Sequence, residues 1–171
     1  MDEDVVGHAW GHQERSAEIA GQVMSAMKMD NATRDRVVLL TANHDLDMAT
    51  DTRLLRHHLH TFGEEALRQL LQLQRADECS KGTLDLQEVN TRFDAIEQAL
   101  DALLATDPCV TLRQLAVNGG DLMALGIPRG KVIGQTLNAL LDAVLDERLP
   151  NERSALLAEA SALVRHDQQE G

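Results

Sequence analysis

The stretch LDLQEVNTRFDAIEQALDALLA, residues 84–105, decides the fold class. Its apolar positions are Leu86, Val89, Phe93, Ile96, Leu100 and Leu103. They recur at intervals of three and four residues, which puts all six on one side of an α-helix. The same spacing is the seam of a coiled coil, but the run is shorter than three heptads. The favoured reading is one long helix that packs within its own chain. The competing one is a homodimer joined along Leu86, Val89, Phe93, Ile96, Leu100 and Leu103.

Helical periodicity continues on both sides. Residues 13–29 carry Ala17, Ile19, Ala20, Val23, Met24 and Met27 at helical spacing. Asp30 to Thr33 breaks the pattern and caps a second helix over about 33–44, in which Val37, Val38, Leu39 and Leu40 are expected to be buried. A third helix covers about 51–61, Gly63 interrupts it, and a fourth covers 64–79. Asp107-Pro108 marks a boundary. Short segments at 112–116 and 121–125 then lead through the turn GIPRG into a helix over about 131–147, and a last helix starts at Pro150-Asn151. Residues 1–12 read as an irregular arm and RHDQQEG as a polar tail. The expectation is an all-α fold, a helical bundle in two halves joined by a long helix. The halves are residues 1–82 and 108–171, and 83–107 is the connector.

Composition agrees. Of 171 residues 43% are hydrophobic but only 2% aromatic, with no tyrosine. The core must come from Leu, Val, Ile, Met and Ala. Lys and Arg number 16 against 28 Asp and Glu, a net charge of −12. That charge opposes broad adhesion to nucleic acid or to an anionic membrane, though not a local basic site. Cys79 and Cys109 stand far apart and read as reduced thiols of a cytoplasmic protein. No apolar run approaches the roughly 18 residues of a membrane span.

Four segments, in order, resemble one family. GHQERSAEIA (11–20), LLTANHD (39–45), TRLLRHHLHTFGEEALRQLLQLQRAD (52–77) and LRQLAVNGGDLMALGIPRGKVIGQTLNALLDAVLDERLPNERSALL (112–157) are similar to the C-terminal body and tail of bacterial tRNA nucleotidyltransferases, the CCA-adding and poly(A) polymerase group. The fourth is the most specific. The family's catalytic head carries a GGxxRD-like motif and paired metal-binding aspartates, and neither occurs here. Asn118 to Asp121 (NGGD) lies in the tail segment and no DxD follows it. The resemblance therefore implies a non-catalytic module that positions tRNA for a head domain outside these residues, with no cofactor of its own and no nucleotide addition by this chain alone.

Two sets of residues carry candidate chemistry. His12, His44, Asp45 and Asp77 are imidazoles and carboxylates of the kind that hold a divalent metal in HD-domain phosphohydrolases, where the metal activates water. On that alternative the chain is a small metal-dependent phosphohydrolase. Against it, the His-Asp dyad is followed by Leu-Asp-Met instead of the usual Ile/Leu-Gly-Lys. His57, His58 and His60 cannot share one face at spacings of one and three, and read as a solvated surface. The turn LGIPRGKVIG supplies Gly126, Arg129, Gly130, Lys131 and Gly134. Gly130 opens a helix whose free N–H groups can hold a phosphate, with two cations beside it. The plain competitor is a helix corner in which glycine only supplies positive φ. The acidic balance predicts weak tRNA binding by this chain alone.

Overall fold

A computed structural model describes residues 12–82 and 85–167, with side chains from Gln13 to Leu163. Of the irregular arm read at 1–12, residues 1–11 lie outside the described residues, as does the end of the polar tail, while His12 opens the first helix. Those described form seven α-helices and no strand: α1 His12–Ala26, α2 Asn31–Ala42, α3 Thr52–Lys81, α4 Leu86–Leu104, α5 Gly119–Ala124, α6 Lys131–Leu145 and α7 Arg153–Asp167. The all-α expectation holds.

The chain divides into two compact units, and the division is not the one expected from sequence. Of the described residues, one unit takes those up to Met48 together with Glu64–Glu97; the other takes Ala49–Gly63 and those from Gln98 on. The boundary inside α3 has a physical cause. Gly63 sits at φ 72°, ψ 167°, a non-helical geometry that a glycine adopts without strain. The residues before it belong to the second unit and those after it to the first.

In the first unit α1 and α2 form a hairpin. A Cβ on Gly21 would stand 3.3 Å from Val38 Cγ2, so the glycine lets the two helices approach closely. Asp30 caps α2, accepting from the Thr33 N–H at 3.0 Å and from its hydroxyl at 2.7 Å. Val37 to Leu40 are not buried, contrary to the expectation above; no residue of α2 is. Four consecutive side chains sweep roughly 300° around a helix axis, so no single packed face can cover them all. Those four are half-buried, whereas Ile19, Val23 and Met27 of α1 are exposed. The core of this unit comes from the second half of α3 and the first half of α4: Ala66, Leu67, Leu70, Leu71, Val89, Phe93 and Ile96. Arg75 fastens the two segments, donating to Asn90 Oδ1 at 2.9 Å and to Asp94 at 2.5 Å, and Arg92 pairs with Glu78.

In the second unit Cys109, Leu115, Val117, Leu122, Ile127, Leu140, Leu141, Val144, Leu145, Leu156 and Ala160 make one buried cluster. Helix α6 packs on α5, on α7 and on the 3-10 turn Leu112–Gln114. The Asn151 side chain clips this turn region down, accepting from Ala116 N and donating to Gln114 O, both at 2.8 Å.

The α4 seam is consumed inside the chain. Val89, Phe93, Ile96, Leu100 and Leu103 are each at most 5% exposed, and only Leu86, 55% exposed, stays open. The seam read as a homodimer surface is therefore not available to a second copy without opening the core, which favours the intramolecular reading of this helix.

Candidate nucleic-acid interface

The hairpin of α5 and α6 is built from three local devices. Asn118 caps α5: its Oδ1 accepts from Gly120 N at 2.8 Å and Asp121 N at 3.3 Å, while Asp121 Oδ2 accepts from Asn118 N at 2.9 Å. This is a reciprocal capping box. Asp121 also accepts from Arg153 of α7 at 2.7 Å. The Arg153 guanidinium, and then the Asn118 N–H, hold the Asp121 carboxyl below its ordinary range. The second device ends α5. Gly126, at φ 89°, lets the Ile127 N–H reach Leu122 O at 3.2 Å and tucks the Ile127 side chain into the core. The third opens α6. Gly130 has φ 123° and ψ −150°, a region populated almost solely by glycine.

The two helix starts then differ. No side chain caps α6, and the first hydrogen bond into its opening turn is from Ile133 N to Gly130 O. The N–H groups of Lys131 and Val132 have no partner among the described residues. Arg129 and Lys131 flank them, both exposed. The Arg129 Nε lies 3.3 Å from Met123 Sδ, and neither side chain meets a carboxylate. Most arginines of this unit do: Arg56 with Glu147, Arg148 with Asp146, Arg153 with Asp121. Arg113, on the 3-10 turn, is also exposed and unpaired among the described residues, and nothing in the sequence singled it out. Of the five residues expected at this turn, Gly126 and Gly130 have the plain conformational reason for being glycine. Gly134 does not, because a Cβ there would meet nothing within 4 Å.

The other candidate set lies in the first unit. His44, Asp45 and Asp77 line one cleft of about 180 Å³ with Gln74, Glu78 and Lys81. The His44 ring faces Thr41 O at 2.8 Å through Nδ1 and Asp45 Oδ1 at 3.0 Å through Nε2. Gln13 donates to the other Asp45 oxygen at 3.0 Å. Asp77 receives the Lys81 ammonium at 2.5 Å, and that contact, with Asp45 and Glu78 nearby, raises the lysine above its ordinary range. The His12 side chain lies outside the described residues. Among those described, no three His, Cys, Asp or Glu side chains gather as a metal would require. Lys81 supplies positive charge to the cleft.

The three histidines near the start of α3 go separate ways. His57 bonds Asp146 at 2.9 Å, His58 is buried beside Phe62, and His60 reaches Val110 O at 2.7 Å. A larger cleft of about 510 Å³ in the second unit is lined by Arg56, Cys109, Glu147 and Asn151. Two of its polar side chains are committed: Arg56 to Glu147, and Asn151 to the backbone. Burial pushes the Cys109 thiol up, away from the reactive thiolate.

Among its described residues the chain is all-helical, with an exposed hairpin shaped by Gly126 and Gly130. The chain belongs to the family described as tRNA nucleotidyltransferase domain 2, whose model matches residues 12–160. A CCA-adding enzyme of Limosilactobacillus fermentum is 34% identical over 68 residues, which are 40% of this chain and 17% of that enzyme. The matched stretch thus spans about a sixth of that relative's length. No solved structure matches.

Proposed function

We propose that this chain positions tRNA for 3′-end nucleotide addition by a catalytic head outside these residues, and that it adds no nucleotide itself. One observation carries the reading. The α5–α6 hairpin presents Arg129 and Lys131 without carboxylate partners beside the uncapped start of α6, in a chain whose net charge is −12. Backbone N–H groups at a helix start and flanking cations are the groups that hold phosphate oxygens. Such contacts fix register on a nucleic acid without reading its sequence. With two cations engaged, binding is weak, and log K falls against log salt with a slope of about −1.5.

The test is an NMR titration of the isotope-labelled chain with a tRNA stem-loop at low ionic strength. Amide shifts confined to about residues 126–138 are expected, together with weaker binding for Arg129→Ala and Lys131→Ala. Shifts elsewhere, or none, refute the reading. Incorporation of labelled CTP or ATP into tRNA by the purified chain refutes the non-catalytic half of it.

A further inference from the structure

We infer that two adjoining clefts of the first unit, both lined by Gln74 and Asp77 of α3, form a binding site for an alkylammonium ion. The polar cleft takes the charged head and its neighbour takes the hydrocarbon body. The inference stands on the first unit alone and is independent of the tRNA-positioning reading.

The polar cleft, of about 180 Å³, holds Asp45, Gln74, Asp77, Glu78 and Lys81 in its wall. The second, of about 280 Å³, is lined by Ser16, Thr41, His44, Leu73, Gln74 and Asp77. His44, Gln74 and Asp77 therefore border both. Gln74, Asp77, Glu78 and Lys81 follow at i, i+3, i+4 and i+7, which sets them on one face of α3. Leu73, 39% exposed, offers apolar surface to the second cleft.

Two acceptors in these clefts lack donors. Gln74 is only 8% exposed. Its Nε2 donates to Leu46 O at 2.6 Å, and its Oε1 has no hydrogen bond among the described residues. Glu78 Oε1 pairs with Arg92 of α4, but Glu78 Oε2 is buried and has no partner. A buried acceptor left without a donor is destabilising, and such groups are nearly always satisfied. A ligand rich in N–H groups supplies what both lack. Charge points the same way, since the carboxylates of Asp45, Asp77 and Glu78 share the polar cleft with Lys81. Among the described residues these carboxylates do not gather round one point as a metal ion would require. Spread acceptors suit an ammonium, whose three N–H groups diverge. The neighbouring cleft, with Leu73 in its wall, then covers the methylenes that carry it. Lys81 is itself an alkylammonium, seated on Asp77 at 2.5 Å with its side chain 56% exposed, and a ligand takes over that seat.

Calorimetric titration of the whole chain with methylamine, propylamine, butylamine and hexylamine tests the site. Hexylamine is expected to bind, with affinity rising up to about fourfold for each methylene that the second cleft covers. Hexanol, with the same body and no charge, should not bind. Glu78→Gln should weaken hexylamine about tenfold, the loss of one charge-assisted hydrogen bond. Lys81→Met removes the resident ammonium and should strengthen it. Unchanged melting temperatures verify that the variants fold, and the amine series decides the question without any variant. Nα-acetyl-lysine methylamide presents the same group on a protein side chain. Binding as tight as hexylamine's makes the natural ligand a lysine of another protein, and much weaker binding makes it a free amine. A flat series from methylamine to hexylamine, or displacement of hexylamine by ammonium or magnesium chloride no less than by a second alkylamine at equal ionic strength, reduces the site to a cluster of acids and overturns the inference. Affinity unchanged in both Asp77→Asn and Glu78→Gln overturns it as well.

Discussion

Replacing Gly134 with alanine should make the protein more stable. The position is the fourth residue of α6, a fifteen-residue helix. Alanine in a helix interior is favoured over glycine by about 0.8–1.0 kcal/mol, partly because the unfolded chain loses freedom. No steric term opposes the gain, since the added Cβ meets nothing within 4 Å. For a chain of this length 1 kcal/mol corresponds to a rise in melting temperature of about 2–4 °C. Thermal and urea unfolding followed by far-UV circular dichroism measure it. Two other glycines act as controls. Gly119→Ala places its Cβ 3.2 Å from Ile133 Cγ2 and gains nothing. Gly130→Ala forces a side chain into φ 123° and loses at least about 1 kcal/mol. A Gly134→Ala protein no more stable than the parent would refute the claim that the chain itself has no use for this glycine.

Other outcomes follow from the packing. Phe93→Ala removes a ring that is fully buried in the first unit; the transfer and cavity contributions together amount to about 3–5 kcal/mol, read as a lower urea midpoint. If the α4 seam joined two chains, the change would instead be a fall in molecular mass by light scattering. Asn118→Ala opens the capping box of α5 and should cost about 1 kcal/mol, which a thermal melt resolves. Acid should also destabilise the fold. Asp30, Asp51, Asp121 and Asp146 are all held below their ordinary range by folded-state hydrogen bonds. Their contribution is complete above the unfolded carboxylate value and is lost as pH falls through the folded values, so stability should be level near neutrality and drop below about pH 4. Asp121→Asn should flatten part of that drop in melts taken across the acid range.

Helix positions were legible because each core helix repeats its apolar residues at the helical period. The run 86–103 is the clearest case, and the structure buries five of its six apolar positions. The pattern says which side of a helix is apolar, not which helix covers it. Hence the first half of α3 was grouped by sequence order with α1 and α2, although it packs with the C-terminal residues. Val37 to Leu40 failed for a related reason: an unbroken apolar run has no period, so it names no face. At the hairpin the glycines and cations were legible because only glycine takes the backbone of Gly126 and Gly130. Arg113 was not, since an exposed arginine on a short turn carries no signal until its neighbours are known. Nor did the His44, Asp45 and Asp77 spacing reveal Lys81, which reaches Asp77 from one turn away.

Because α3 and α4 each pass from one unit to the other, the polypeptide crosses between them more than once. On the ribosome this orders assembly. Every residue of the first unit has been synthesised once Glu97 is joined, whereas the second must hold Ala49–Gly63 in waiting until α7 emerges. Translation that stops anywhere between these points yields one finished core and an orphaned helix still missing its mate. A nascent chain arrested shortly after α4 should therefore resist protease over residues 64–97 while remaining open to cleavage at 52–62.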